Sequence, residues 1–183
     1  MNTEEALAQA EELLKPFTLY ATRPSLDRLD VTILPESLIG AVSAIVEGQW
    51  GYLTAITGLD RPGNLAPIPD EKQWSRTVTE IQVSGGAPEP EGSIEVLYHF
   101  CQKAAIVTLR TGVRYLFTVL PSICAIIPAA TLYERELGEM YGITVVGTPS
   151  TDKLLLPDDW PDDIFPMRKS FTGAEMLPPI KED

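Results

Sequence analysis

The chain has 183 residues, of which 44% are hydrophobic and 22% charged, and its 26 acidic and 14 basic side chains give a formal net charge of -12. This length and composition are typical of a globular domain that can bury a core. The acidic balance argues against a nucleic-acid-binding protein, which needs a basic face, and against docking on anionic lipid headgroups. It is compatible with basic partner surfaces and equally with solubility alone.

The first quarter of the chain predicts two helices and two strands. Residues 3–15 have the spacing of an amphipathic helix, with inward positions at Ala6, Ala10, Leu13 and Leu14. A strand is expected around Phe17–Thr22, and a clearer one at Leu29–Leu34, where apolar and polar residues alternate. Pro35 then opens a helix that Gly48 ends.

An irregular stretch follows the next strand. Tyr52–Leu59 is typical of a buried strand, since its residues are mostly apolar or small. The region 60–92 is rich in Pro and Gly and is interpreted as an insertion, with a candidate strand at Arg76–Val83. We therefore expect this region to be the least regular part of the body.

A hairpin follows the insertion. Ile94–Cys101 and Ala104–Thr111 predict antiparallel strands, and Val113–Val119 is expected to continue their sheet. The stretch Tyr115–Tyr133 contains no formal charge, but its two interior prolines would break a membrane-spanning helix. We therefore interpret that stretch as a strand, a turn and the start of a helix.

The elements together predict an α+β fold, in which helices pack on a mixed or antiparallel sheet and an extended C-terminal tail follows. Residues 1–147 form the body in this prediction, and residues 148–183 form the tail. The tail is rich in Pro, Leu and Trp and does not bury itself easily. It is therefore a candidate for wrapping around a neighbouring protein.

A charged helix is predicted just before the tail. It starts either at Pro128, which suits a first turn, or at Thr131, which with Glu134 fits a capping box. Gly142 stands where a C-terminal glycine is expected. The apolar positions in between have helical spacing: Ala130, Tyr133, Leu137, Met140 and Tyr141.

Glu134 falls inside the apolar face of this helix. Since an unpaired buried charge is very costly, the carboxylate needs a partner. Two interpretations stay open: it caps its own helix or pairs with an arginine of the same chain, or it pairs across an interface with another protein. Arg135 and Glu139 are four positions apart and predict a weak surface ion pair.

The stretch YERELGEMYGI, residues 133–143, resembles the signature of the thirty-kilodalton subunit family of complex I, the NADH–quinone oxidoreductase. The matching residues are Glu134, Arg135, Glu136, Glu139, Met140 and Tyr141, followed by Leu154 and Leu155. Thr148 and Asp152 depart from the pattern, which has His or Lys and then a basic residue or Pro. PMRKSF, residues 166–171, is similar to the family's Pro-Leu-Arg-Lys-Asp-Phe ending. WGYLTAITGLD and EVLYHF extend the resemblance to roughly residues 28–171.

The resemblance implies a non-catalytic structural subunit in the hydrophilic peripheral arm of a complex I-like, ion-pumping oxidoreductase. Its implied partners are the large subunit, of the forty-nine-kilodalton or nickel–iron hydrogenase type, and the neighbouring small iron–sulfur subunit. The implied location is the cytoplasmic side of the membrane, reached only through the complex. Both an NADH–quinone oxidoreductase and an energy-converting membrane-bound hydrogenase fit, and LLLPDDWPDDIFPMRK is especially similar to the hydrogenase and photosynthetic types.

The partner interface is expected on the charged helix and the tail. Arg168 is the strongest single candidate, because a guanidinium can hold a carboxylate through two parallel hydrogen bonds. Trp160 is interpreted as an interface anchor, since tryptophan is enriched at hot spots. The complete expected set is Glu134, Arg135, Glu136, Glu139, Tyr141, Trp160, Pro166, Arg168 and Lys169.

No cofactor site is predicted. Cys101 and Cys124 form no CxxC pair, and His99 is the only histidine, so the usual zinc and iron–sulfur ligand sets are not available. The sequence has no P-loop, no GxSxG and no GxGxxG after a strand. No catalytic residue is therefore assigned.

Two rival functions stay open beside the structural subunit. One is a scaffold module that binds the complex only transiently during assembly. The other is a free-standing metal-dependent enzyme that uses His99 and the acidic cluster Asp158, Asp159, Asp162 and Asp163. That cluster lacks calcium-loop spacing and is interpreted as a solvated loop.

Overall fold

The computed structural model of the chain describes residues 2–62 and 92–176, which form three α-helices and seven β-strands. The helices are α1 (Thr3–Leu14), α2 (Leu38–Glu47) and α3 (Thr131–Tyr141). The strands are β1 (Tyr20–Ser25), β2 (Arg28–Thr32), β3 (Tyr52–Pro62), β4 (Gly92–Gln102), β5 (Ala105–Arg114), β6 (Val119–Pro121) and β7 (Thr144–Val146). Short 3₁₀ turns lie at Pro35–Ser37, Pro128–Ala130 and Ala174–Met176.

Five of the strands form one mixed sheet in the order β1-β2-β5-β4-β3. β2 and β5 run parallel, and the other neighbouring pairs are antiparallel. β6 and β7 form a separate, two-stranded parallel sheet. The predicted α+β fold, with a mixed sheet and helices packed on it, is confirmed.

One face of the five-stranded sheet carries the core. Because side chains alternate along a strand, four positions of β4 share that face, all buried: Ile94, Val96, Tyr98 and Phe100. α1 and α2 cover it with buried leucines, valines and isoleucines, among them Leu7, Leu14, Leu38, Val42 and Ile45. The indole Nε1 of Trp50 donates to Ala6 O at 2.7 Å, which fixes α1 to the segment that follows α2.

α3 lies on the same side of the sheet, against β3. Gly58 permits this close packing, because a Cβ there would lie 2.4 Å from Cε2 of Tyr141. The hydroxyl of Tyr141 donates to Gly58 O at 2.7 Å, and that of Tyr133 donates to Thr54 O at 2.9 Å. The described helices therefore all lie on the core face, and the opposite side of the sheet is called the outer face below.

The helix predictions are confirmed with small shifts. α1 ends at Leu14, and Leu7 is fully buried while the expected inward residue Leu13 is only partly buried. α2 follows a 3₁₀ turn that begins at Pro35, and it ends at Glu47, with the predicted Gly48 as its C-cap.

Three strand predictions differ from the structure. β1 starts at Tyr20, because Phe17 N donates to Leu14 O at 2.9 Å and belongs to the turn that closes α1. The strand expected to be buried at Tyr52–Leu59 is β3, which among the described strands pairs only with β4; it is therefore an edge strand, and many of its side chains are half-exposed.

The third difference concerns the end of the hairpin. Residues Val113–Val119 do not continue one sheet: β5 ends at Arg114, where Phe117 N donates to Arg114 O at 2.9 Å, and Val119 begins β6. The candidate strand at Arg76–Val83 lies outside the described residues. Within the described ranges, no helix has the length and apolar content of a membrane span.

Candidate partner-binding site

The predicted charged helix is α3, and its two ends have the expected residues. A 3₁₀ turn at Pro128–Ala130 leads into it, and Thr131 is its first α-helical residue, so both predicted starts are used. Its last residue is Tyr141, and its C-cap is Gly142, whose φ of 70° is left-handed. A Cβ at Gly142 would also lie 2.5 Å from Cζ of Phe165, so this glycine gives the tail room to pack.

Glu134 is buried, with 3% of its surface exposed. Its Oε1 accepts from Ile123 N at 2.7 Å, and its Oε2 accepts from Ser122 Oγ at 2.8 Å and from Cys124 Sγ at 3.1 Å. The predicted capping box is wrong, because the Thr131 hydroxyl donates to Pro128 O instead. Among the described residues no arginine pairs with Glu134, so the carboxylate holds the turn after β6.

Arg135 and Glu139 bind the tail, and the predicted ion pair between them is not formed. The guanidinium of Arg135 donates to Asp152 O at 2.8 Å and to Lys153 O at 2.7 Å. The carboxylate of Glu139 accepts from the backbone N–H groups of Leu154, Leu155 and Leu156 at 2.9, 3.0 and 2.8 Å. These two side chains and the backbone of residues 152–156 are called the tail clasp below.

The tail therefore packs on its own chain. This differs from the expectation that the tail does not bury itself easily. Beyond the tail clasp, Met167 N donates to Met140 O at 3.1 Å. Trp160 Nε1 donates to Ile164 O at 2.8 Å, and its ring lies 6.1 Å from that of Phe171. Trp160 is thus a half-buried anchor within the tail.

Asp60, at the end of β3, binds the last part of the tail. It is 7% exposed, accepts from the Tyr115 hydroxyl, and accepts from Lys169 N at 2.7 Å. Burial raises the pKa of Tyr115, and its hydrogen bond to Asp60 adds to the rise. Asp60 was not among the predicted site residues, although an acid that continues the alternation of an apolar strand is a usable signal.

Arg168 is held beside this carboxylate. Its Nε donates to Tyr141 O at 2.8 Å, and its guanidinium carbon lies 5.4 Å from the ring centroid of Tyr115 and 4.6 Å from that of Phe165. Burial lowers the pKa of Arg168, while Asp60 and Tyr115 oppose that shift. Within residues 2–62 and 92–176, its two terminal nitrogens have no hydrogen-bond partner.

The other expected interface residues differ in how accessible they are. Glu136 and the side chain of Lys169 are exposed, and Pro166 is half-buried. Tyr141 is 7% exposed and packs on β3. Burial raises the pKa of Tyr141, and the charges of Glu136 and Asp60 raise it further. The structure thus brings α3 and residues 165–169 together, while Glu134 and Tyr141 point inward.

A cavity of about 280 Å³ lies between α3, β7 and the tail. The Oγ1 of Thr148 is buried at this place and has no hydrogen-bond partner among the residues that the structure describes. Thr148 is one of the two residues that depart from the family pattern. The other, Asp152, uses its carbonyl in the tail clasp, and its carboxylate accepts from Ser150 Oγ at 2.9 Å.

The acidic cluster and His99 do not form one site. The four aspartates are exposed, and Asp162 pairs with Lys153 at 3.1 Å. His99 lies on the outer face of β4, where Nδ1 is 3.2 Å from Thr108 Oγ1. In the part of the chain that the structure describes, no group of three or more His, Cys, Asp or Glu residues is arranged to hold a metal ion.

Sequence relatives point to subunits of redox complexes. Formate hydrogenlyase subunit 5 of Escherichia coli (strain K12) is 44% identical over 72 residues, which are 39% of this chain and 13% of that protein. A subunit of the NADH-quinone oxidoreductase of Roseiflexus castenholzii is 36% identical over 88 residues, 46% of this chain and 49% of that one. The matched segments span less than half the length of these curated relatives.

Two solved structures share the fold. A chain of the membrane-bound sulfane sulfur reductase, an archaeal respiratory membrane complex, has a TM-score of 0.67 at 19% identity and covers 98% of this chain and 97% of its own. A trypsin-resistant fragment of Nqo5 has a TM-score of 0.54 at 20% identity, covering 82% of this chain and 99% of the fragment.

A family model matches across the site itself. Its matched residues, 31–176, include α3, the tail clasp and Arg168, and the family is described as the 30 Kd subunit of the respiratory-chain NADH dehydrogenase. The chain therefore belongs to this family of thirty-kilodalton subunits.

Proposed function

We propose that the chain is a non-catalytic structural subunit in the hydrophilic arm of a complex I-like oxidoreductase. It binds the large subunit, borders the small iron–sulfur subunit, and supports electron transfer coupled to ion translocation. It lies on the cytoplasmic side of the membrane, meets the membrane only through the complex, and carries no cofactor of its own. The observation that supports this proposal is the family match over residues 31–176.

Residues 165–169, where the tail crosses the end of α3, are the contact surface that best fits this role. The bond to Tyr141 O and the two aromatic rings hold the Arg168 guanidinium in one orientation. A guanidinium held in this way loses little freedom when it grips a carboxylate through two parallel hydrogen bonds. Met167 beside it is 54% exposed and offers apolar area to the same partner.

The charged residues of α3 contribute in different ways to this contact. Glu136 is exposed and can meet a partner directly. Arg135 and Glu139 act through the tail clasp, because they fix the backbone of residues 152–156. Glu134 supports the surface from inside, since its donors all belong to residues 122–124. The partner thus meets a tail whose course is already set by α3.

A hydrogenase-type complex is the finer proposal. The identity is 44% to formate hydrogenlyase subunit 5 and 45% to hydrogenase-4 component G of Escherichia coli (strain K12), against 36% to the NADH-quinone oxidoreductase relative of Roseiflexus castenholzii. The large subunit decides between the two: cysteine ligands in two CxxC pairs indicate a nickel–iron centre, and their absence indicates quinone reduction. The reading frames beside that of this chain are the place to look for it.

Native purification of the tagged full chain tests the proposal. We expect stoichiometric co-purification with a large subunit, identified by mass spectrometry. Arg168→Ala should weaken retention by about tenfold to a thousandfold, because it strands a carboxylate of the partner. Arg168→Lys should restore part of the retention, since lysine keeps the charge without the two parallel bonds.

Arg23→Ala is the matched control. Arg23 pairs with Glu4 and Glu11 on the surface, and it lies on β1, at the opposite edge of the sheet from β3. Its substitution should therefore leave retention unchanged. Retention of Arg168→Ala equal to that of the parent would place the contact elsewhere. Sub-stoichiometric binding that is lost once the complex matures would favour a transient assembly module. A metal or visible absorption band that stays with the chain after chelation would contradict a cofactor-free subunit.

A further inference from the structure

β6 and β7 form a parallel sheet of two strands, and one face of this sheet is exposed. Leu120 is fully buried and Val145 is 9% exposed, so these two side chains belong to the face that packs on the core. Because side chains alternate along a strand, Val119 and Val146 lie on the opposite face, where they are 48% and 60% exposed. Parallel sheets almost always have both faces covered. Among the described residues, this sheet has a cover on one face only.

The exposed face continues into the segment before β6. Thr118 O accepts from Thr144 N at 2.7 Å, so the ladder between the two strands begins before β6 itself. The alternation therefore places Phe117, which is 37% exposed, on the face of Val119. The open face comprises Phe117, Val119, Pro121, Thr144 and Val146, which are called the platform below.

The platform carries no charge, in a chain of which 22% of the residues are charged. Both of its strands come from stretches without Asp, Glu, Lys, Arg or His, namely residues 115–133 and 140–151. A sheet with one solvated face shows polar residues in alternation with apolar ones. The runs Val119–Pro121 and Thr144–Val146 are instead mostly apolar on both faces. This is the pattern of strands that are covered on both sides.

The platform borders the proposed contact at Arg168. The ring of Tyr115, two residues before Phe117, has its centroid 5.4 Å from the guanidinium carbon of Arg168. Two successive carbonyls at the C-terminal end of α3 accept from Thr118 Oγ1 and from Arg168 Nε, each at 2.8 Å. The terminal nitrogens of Arg168 have no hydrogen-bond partner among the described residues, and they reach solvent. An accessible cation therefore lies beside the uncharged platform.

A contact at Arg168 alone is too small to hold a stable subunit. Stable protein–protein interfaces bury about 800 Å² on each partner, far more than Arg168 and Met167 can supply. Such interfaces combine an apolar core with a polar rim. The platform supplies the apolar area that is missing, and Arg168 supplies a charge at its margin.

We propose that the platform is the apolar core of the contact with the partner that Arg168 holds, and that its occupant is an uncharged, mostly apolar segment of that protein. This inference rests on the proposed function and extends it from one arginine to a surface. A second copy of this chain fits less well, because a two-fold contact would join the charge-free stretches to each other and offer Arg168 no carboxylate. The net charge of -12 opposes a surface of anionic lipid.

Retention of the partner by the tagged full chain tests the platform. Val146→Glu should lower retention by about tenfold or more, because the contact would bury a carboxylate that has no counter-charge there. Since position 146 is exposed, thermal unfolding of the isolated variant should match that of the parent. Leu26→Glu is the matched control, because Leu26 is 92% exposed and its neighbour Asp27 O accepts from Ile106 N, at the opposite end of β5 from the platform. This control should retain the partner as the parent does.

A diazirine amino acid at position 146 identifies the occupant directly, and it decides the question if Val146→Glu does not fold. After irradiation of the native complex, we expect mass spectrometry to find a mostly apolar peptide of the same partner linked to position 146. The same amino acid at position 167, beside Arg168, is the positive control.

The proposal is overturned by a link from position 146 to a second copy, to this chain itself, to lipid or to a different protein. It is also overturned by no link from position 146 while position 167 reacts, or by undiminished retention in a folded Val146→Glu. If Arg168→Ala still loses the partner in those cases, the proposed function stands. A chain that retains no partner in native purification overturns both.

Discussion

Two carboxylates of α3 accept hydrogen bonds from two different regions of the molecule: Glu134 from one backbone N–H, a hydroxyl and a thiol, and Glu139 from three backbone N–H groups. Glu134 holds the turn at residues 122–124, and Glu139 holds the tail at residues 154–156. Glu134 is 3% exposed, whereas Glu139 is half-buried and its tail partners border solvent. The two carboxylates thus differ in burial and in donor type, since two of the three donors to Glu134 are side chains.

Burial decides what the loss of each carboxylate costs. Donors that lose their acceptor in the interior stay without a partner, whereas donors near the surface can turn to water. We therefore expect Glu134 to matter for the stability of the body and Glu139 for the position of the tail. Two measurements test this comparison and two more concern other buried polar groups, in order from the largest expected effect to the smallest.

Glu134→Ala should lower the free energy of unfolding by about 3 kcal/mol, because it leaves Ile123 N and Ser122 Oγ buried without an acceptor. Urea unfolding of the isolated chain at neutral pH measures it. The exposed neighbour Glu136→Ala is the control and should change stability by less than about 0.5 kcal/mol. A loss of stability in Glu134→Ala as small as that in Glu136→Ala would mean that other groups accept the hydrogen bonds of Ile123 N and Ser122 Oγ.

Glu139→Ala should lower the stability by about 1 kcal/mol and release the tail while the body stays folded, because its donors can be solvated. Hydrogen exchange at Leu154, Leu155 and Leu156 measures the release, and limited proteolysis should cut there first. Asp158→Ala, in the exposed acidic loop, should change neither. Unchanged exchange in Glu139→Ala would show that Arg135 alone holds the tail.

Thr148→Val should leave the stability unchanged or raise it by up to about 1 kcal/mol, because it removes a buried hydroxyl that has no partner and keeps the shape. Thermal and urea unfolding measure the difference. Thr131→Val is the contrasting control. It should lower the stability, because the Thr131 hydroxyl donates to Pro128 O at 3.0 Å and the substitution removes this bond. A clear loss of stability in Thr148→Val would mean that the hydroxyl is bonded in solution.

His99 should give the smallest effect, visible only as a pH dependence. Burial, Arg28 and Arg110 lower its pKa below the ordinary 6.5, so the unfolded chain takes up the proton first as the pH falls. The contribution of His99 is thus fully present above about pH 6.5 and is lost as the pH falls through the lowered value. His99→Gln should weaken the dependence of the urea unfolding midpoint on pH between pH 7.5 and 5.5. An unchanged pH dependence in this variant would contradict the lowered pKa of His99.

Local patterns in the sequence predicted α3 well. The proline turn, the apolar spacing and the left-handed Gly142 all depend on neighbours within a few residues. The fold class followed in the same way, because alternation in β4 and β5 needs no distant information. The wrong strand ends have a different cause. Whether a chain stays in a sheet depends on which strand is free beside it, and this is why β6 pairs with β7.

The partners of the charged residues could not be predicted. Helical periodicity shows that Glu134 points inward, but its donors come from a turn without a periodic signal. The same holds for Asp60, whose partner Lys169 N lies 109 positions later. Arg135 and Glu139 have the spacing of an ion pair, yet both side chains bind backbone groups of the tail instead of each other. Which partner such a side chain binds depends on the tertiary structure, because the candidate groups lie far apart in the sequence.

The bond between Asp60 and Lys169 N also sets an order of events during synthesis. Chains fold largely as they emerge, from the N-terminal end onward. The seven described strands and α3 are complete by residue 146, whereas the backbone donor to Asp60 becomes available only when residue 169 has left the ribosome. A nascent chain can therefore hold a nearly finished body while Arg168 is still unplaced. The proposed contact through Arg168 can therefore form only after residue 169 has been translated.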